Sequence, residues 1–178
     1  MPKLLLHVCC APCATYISVE RLKPRFDLTW FFYNPNLNTR EEYEQRLAAV
    51  KFVAEKYSIS LIVEPYNHVP WQEKIVGREK EPEKGERCRI CYGQRLEKTA
   101  ALAQEKGFAW FATTLSVSPY KDQGAIASIA RLLAVAYKPK FLDEDFQIDD
   151  AYRKSQALAK ELGIYRQKFC GCEYSLQN

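Results

Sequence analysis

Residues 3–13 read KLLLHVCCAPC, from Lys3 to Cys13, and this stretch decides how the chain is organised. An apolar run of strand length (3–8) passes, without a glycine, into Cys9, Cys10 and Cys13 at the point where a helix begins. Further runs of strand length follow at 28–33 (LTWFFY), 59–64 (ISLIVE) and 109–113 (AWFAT). Helical patterns separate them at about 14–22, 40–57, 68–77 and 91–106. The alternation predicts an α/β fold, a Rossmann-like parallel sheet with helices on both faces. Past residue 122 the pattern is helical, at about 123–136 and 149–162 with a break at Lys138-Pro139-Lys140, and this last third carries further cysteines back to the active edge. Residues 1–178 are read as a single domain.

In open parallel sheets ligands bind beyond the carboxyl ends of the strands, which is where Cys9, Cys10 and Cys13 fall. A nucleotide site would place glycines there to let backbone amides approach phosphate, and none is present in residues 7–13. Thiols stand in their place. The seven cysteines form three clusters, the others being Cys88 with Cys91 and Cys170 with Cys172. Clusters this far apart converge only through folding. Cys9, Cys10, Cys88 and Cys91 together supply the four thiolates of a 4Fe-4S cluster or a structural zinc site, the alternative being two unrelated groups of buried thiols. Cys88-Arg89-Ile90-Cys91 is expected at a helix start, delivered by the charged loop 78–87. Cys170-Gly171-Cys172 can close a strained, labile disulfide, ligate metal directly, or be a pair of incidental thiols near a terminus. Cys13 is either an extra ligand or a packed helix residue. His7 and His68 read as structural, and Trp30, Phe31, Phe32, Trp110 and Phe111 as core.

The net charge of +4 gives only modest support for a polyanionic partner, and the basic residues between Lys74 and Lys98 are interleaved with glutamates. The start lacks the apolar region of a secretory signal, and no run approaches the roughly 20 apolar residues that span a bilayer. A cytoplasmic protein without membrane contact is expected, and in that compartment thiols stay reduced and clustered cysteines bind metal or do redox work.

Five motifs in order, HVCCAPC, YNPN followed by EEYEQR, C-x-x-C after a charged loop, TTLSVSPYKD and ELGIYRQKFCGCEYS, resemble the cobalamin-independent epoxyqueuosine reductase family from Lys3 to Ser175. The resemblance implies an oxidoreductase that removes the epoxide oxygen from epoxyqueuosine at the wobble position of tRNA, giving queuosine. It implies a 4Fe-4S cluster on Cys9, Cys10, Cys88 and Cys91, with Cys170 and Cys172 as a redox-active pair. It places the SPYK segment on Ser118 to Lys121 and the YRQ segment on Tyr165 to Gln167. Tyr120 and Lys121 are candidate proton donors, and Cys13 with Asp145 is a candidate pair for an additional iron ion. Arg40, Arg87, Arg89, Lys121, Arg153, Arg166 and Lys168 flank the motifs as candidates for phosphate contact with the tRNA anticodon loop. An external low-potential electron donor completes the expected partners. Three rival readings are a zinc-stabilised RNA-binding module, a metal-free thiol oxidoreductase, and an ATP-dependent tRNA-modifying enzyme, the last disfavoured by the missing glycine-rich loop.

Overall fold

Lys3–His7 forms β1, and Leu4, Leu5 and Leu6 are wholly buried because this strand is central to the sheet and covered on both faces. The computed structural model of the chain describes residues 1–177. β1 pairs in parallel with β2 (Asp27–Phe32) on one side and β4 (Trp110–Thr113) on the other. β3 (Ser60–Val63) and β5 (Lys140–Phe141) complete a parallel sheet of order β3-β2-β1-β4-β5.

The helices are α1 (Ala11–Tyr16, continued by a π-helical segment Ile17–Leu22), α2 (Arg40–Lys56), α3 (Val69–Lys74), α4 (Glu86–Glu105), α5 (Gln123–Ala136) and α6 (Ala151–Glu161). α1 packs with α2 and α6, and α4 with α3 and α5. Right-handed crossovers, running outward from β1 in one direction and then from β4 in the other, put these groups on opposite faces. The expected α/β architecture is the observed one. The strand order reverses between β1 and β4, so their carboxyl ends frame the crevice where such sheets bind ligands.

Local chemistry sets the boundaries. Thr39 caps α2 by accepting the Glu42 N–H at 3.1 Å, and Asp122 caps α5 by accepting that of Ala125 at 2.9 Å. α4 starts five residues ahead of the expected 91, so Cys88 and Cys91 lie inside the helix. There Glu81 accepts the Arg87 N–H at 3.1 Å, and one Arg87 guanidinium nitrogen donates to the carbonyls of Arg78, Glu79 and Glu81, folding the charged loop onto the first turn. α6 begins at 151 rather than 149, because Asp149 and Asp150 adopt left-handed backbone conformations. The expected break around Pro139 contains β5, held by Lys140 N–H to Ala109 O and Leu142 N–H to Phe111 O, both 2.9 Å; proline precedes the strand and leaves its ladder donors intact. No helix among the described residues is long and apolar enough to cross a membrane.

His7 ties the crevice together. Its Nε2–H donates to Tyr33 O at 3.0 Å, which leaves Nδ1 to accept from the Thr113 hydroxyl at 2.9 Å, so one neutral ring joins the ends of β1, β2 and β4. Burial, reinforced by the charge of Arg95, lowers its pKa to about 4.

Candidate functional site

The crevice opens into a cavity of about 380 Å³. Its walls are Cys9 and Cys13 after β1, Cys88 and Arg95 on α4, Tyr120 and Lys121 after β4, and Gln167 to Cys170 with Cys172 from the C-terminal segment. Five of the seven cysteines therefore face one space, and the other two adjoin it: Cys10 Sγ lies 3.8 Å from that of Cys9, and Cys91 is buried against Cys172.

The C-terminal segment reaches the cavity because α2 holds it. Arg46 pairs with Glu42 at 2.6 Å and donates to the carbonyls of Cys170 (3.1 Å) and Phe169 (3.2 Å), while Tyr165 donates its hydroxyl to Glu42 at 2.7 Å. Asn38 N–H donates to Gly171 O at 2.9 Å. Gly171 itself has φ +132° and is packed so tightly that a Cβ would lie 2.5 Å from Leu37 Cδ2. The EEYEQR, YRQ and CGC segments thus form one hydrogen-bonded unit.

The Sγ atoms of Cys9, Cys10 and Cys13 all lie within 4.8 Å of one another, all buried. The tightest sulfur group is this triad, with Cys88 and Cys91 supplied from α4. Cys13, which the sequence left between ligand and packing, belongs to the sulfur group. All seven cysteines are free, Cys170 and Cys172 included.

The three thiols share one favoured thiolate, at Cys9. Contacts from Cys10 and Cys13 hold Cys9 well below the usual thiol range, with the charge of Lys121 and the Thr114 hydroxyl (3.2 Å) adding to them against burial. Cys10 is lowered by its contact with Cys13 but raised more by Cys9 and burial, to about 12; Cys13 is pushed well up by Cys10 and Cys9. Burial raises Cys88, and takes Cys91 to about 11 despite the nearby Arg95. Cys170 goes the other way: burial opposes its charge, but Lys121, Arg95 and Arg46 outweigh it and hold the thiol below its ordinary value. The same thiolates, Cys170 and Cys9 foremost, keep Lys121 charged in spite of its own burial.

Tyr120 is exposed at the cavity mouth, its ring edge-on to Tyr152 at 5.9 Å. Asp145 does not join Cys13: it lines a separate hollow beside α5 and its carboxylate caps the Gln147 N–H at 2.8 Å. Arg87 is buried, engaged with its own loop and stacked 4.8 Å over Tyr174 rather than displayed to solvent. Arg40, Arg89, Arg153, Arg166 and Lys168 are exposed; Arg40 lies over Tyr66 and Arg153 pairs with Asp150. Arg46, Thr114 and Gln167 stand in the quoted motifs without a role assigned from the sequence, and Arg95 lies outside them; Gln167 Nε2 donates to Cys10 Sγ at 2.9 Å. Arg95 carried a signal of spacing, four residues after Cys91 and so on the same face of α4, and the other three carried that of their motifs.

Fold and site together define a doubly wound α/β protein with a thiol-lined active edge. Residues 4–178 match the family model described as epoxyqueuosine reductase QueH, and the chain belongs to that family of oxidoreductases. The epoxyqueuosine reductase QueH of Streptococcus pyogenes serotype M1 is 38% identical over 180 residues, 98% of this chain and 70% of that protein. Its counterpart from Thermotoga maritima is 37% identical over 181 residues, 99% of this chain and 91% of that protein. In fold the chain is similar to the U34-tRNA thiolase NcsA from Methanococcus maripaludis, solved with its [4Fe-4S] cluster, at a TM-score of 0.59 and 15% identity, over 98% of this chain and 61% of that one.

The donor set fits an iron-sulfur cluster. Such clusters are held by cysteine thiolates, which the end of β1 and α4 both supply here, and their net negative charge suits a space lined by Arg46, Arg95 and Lys121.

Proposed function

We propose that this chain removes the epoxide oxygen of epoxyqueuosine at the wobble position of a tRNA anticodon loop. The C–O bonds of the epoxide break, two electrons and two protons enter, and an alkene and water leave. One observation carries the reading: cysteines from three distant parts of the sequence line one cavity at the switch point of the sheet, with Lys121 against one of them.

Cys9, Cys10, Cys88 and Cys91 are the residues that would hold a 4Fe-4S cluster, which when bound supplies single electrons and an electrophilic iron. Cys13 is the sulfur left over for an additional iron, and Asp145 stands apart from it. The dithiol of Cys170 and Cys172 can give up two electrons and two protons by closing to a disulfide, after which an external low-potential donor restores it. Lys121, charged and partly buried in the cavity wall, favours the Cys170 thiolate and is a candidate proton source for a departing oxygen, as is Tyr120 at the rim.

The base must leave its loop to enter the cavity, as enzymes acting on a nucleobase require. Exposed Arg40, Arg89, Arg153, Arg166 and Lys168 are the phosphate contacts of this reading, and tRNA affinity should fall steeply as salt rises. The chain acts as one domain in a reducing, cytoplasmic setting.

The test is anaerobic purification, iron and sulfide analysis, and incubation of the reduced protein with epoxyqueuosine-containing tRNA. About four irons and four sulfides per chain, with queuosine as product, is the expected result. Colourless, zinc-loaded protein that leaves the epoxide untouched would overturn the proposal.

A further inference from the structure

Three arginines are almost wholly buried, and the fold answers each charge differently. Arg46 has the Glu42 carboxylate at 2.6 Å. Arg87 has three backbone carbonyls around one nitrogen. Arg95, at 1% exposure the most buried, has neither arrangement: it donates to Cys91 O at 3.3 Å and to Cys91 Sγ at 3.2 Å. Among the described residues no carboxylate pairs with it.

A guanidinium taken out of water without an opposite charge is heavily penalised, so its counter-charge must come from what surrounds it. Arg95 lines the same cavity as Cys9, Cys88, Cys170 and Cys172. A second donor points to the same conclusion: the Trp71 indole N–H is buried in the cluster containing Cys91 and Cys172 and has no oxygen or nitrogen to accept it. Both donors make sense beside sulfur that carries negative charge.

We infer that Arg95 is the fixed counter-charge of the sulfur centre, a positioning residue that makes the centre easier to reduce without touching substrate. The inference rests on the iron-sulfur reading above. An electron delivered by an external reductant adds one negative charge to the centre, and a nearby cation in a low-dielectric interior stabilises the reduced form more than the oxidised one. The i, i+4 spacing on α4 keeps Arg95 beside Cys91 whatever moves at the cavity mouth.

Two variants separate charge from shape. Arg95→Gln keeps an N–H donor near Cys91 and loses the charge; Arg95→Lys keeps the charge and loses the planar fork. The iron-loaded proteins are titrated anaerobically with dithionite in the presence of redox mediators, following loss of visible absorbance and the electron paramagnetic resonance signal of the reduced centre. The midpoint potential of Arg95→Gln should lie below that of the unmodified protein, with Arg95→Lys displaced less. An unmoved potential in Arg95→Gln overturns the inference, and so does equal displacement in both variants, which would mark a purely structural role. If Arg95→Gln does not accumulate, Arg95→Met, charge-free and of similar length, takes the same test. Unmodified protein devoid of iron and sulfide would instead overturn the underlying reading; iron-loaded protein with an unmoved potential overturns the inference alone.

Discussion

Lys121 Nζ lies 3.3 Å from Cys170 Sγ, joining residues 49 positions apart across the mouth of the sheet. The ammonium favours the thiolate electrostatically, so Cys170 should be the most reactive thiol of the C-terminal pair. Lys121→Met should move the inflection of the Cys170 alkylation rate upward in cluster-free protein, since burial is then opposed only by Arg95 and Arg46. Iodoacetamide kinetics followed by mass spectrometry across pH 6 to 10 check this; an unshifted inflection would show that Lys121 does not control the thiol.

Gly171 is sterically required. With φ +132°, an added Cβ would meet Leu37 Cδ2 at 2.5 Å, Asn36 Nδ2 at 3.1 Å and Arg46 Nη2 at 3.3 Å, and Leu37 is fully buried with nowhere to go. Gly171→Ala should cost about 1–3 kcal/mol of stability and displace both flanking cysteines. Urea unfolding and turnover should fall together, whereas a variant as stable and as active as the parent would contradict the packing.

Thr114 serves Cys9 twice, accepting its backbone N–H at 3.0 Å and donating its hydroxyl to Sγ at 3.2 Å, both buried. Thr114→Val removes both and strands a buried donor, a loss of about 1–3 kcal/mol. The unfolding midpoint should drop with an unchanged denaturant slope. Thr114→Ser should recover most of the loss.

The Arg25–Glu144 pair, 3.0 and 2.5 Å, lies on the surface far from the chemistry. The Arg25 guanidinium holds the Glu144 carboxyl below its ordinary value. A folded-state pKa that is depressed adds stability above the unfolded value and loses it as pH falls through the folded one. Because both groups are solvated, Glu144→Gln should cost at most about 1 kcal/mol at pH 7 and nothing in acid. Thermal unfolding at pH 7 and in acid, compared with the parent, tests the sign.

Much of the fold was readable from residues 3–13 and the alternation that follows, because strand and helix signals are local. The boundaries that differed did so for reasons beyond local pattern. α4 begins early because the buried guanidinium of Arg87 gathers three carbonyls of the loop before it. β5 escaped notice because two residues after a proline carry no periodicity until Ala109 and Phe111 pair with them. At the site, cysteines announced themselves by residue type, whereas Arg46, Thr114 and Gln167 are ordinary residues whose roles exist only through partners more than a hundred positions away.

By itself the sequence determined the parallel α/β layout, the thiol-rich strand ends and the family, since each rests on residue type and short-range spacing. Only the tertiary structure decided that Cys13 completes a sulfur triad while Asp145 stands apart, that Arg87 fastens a loop, and that Arg95 faces sulfur with no carboxylate beside it. Those outcomes depend on which chain segments the crossovers bring to the β1–β4 switch point, and charge compensation in a buried cavity is a property of neighbours in space that no spacing along the chain records.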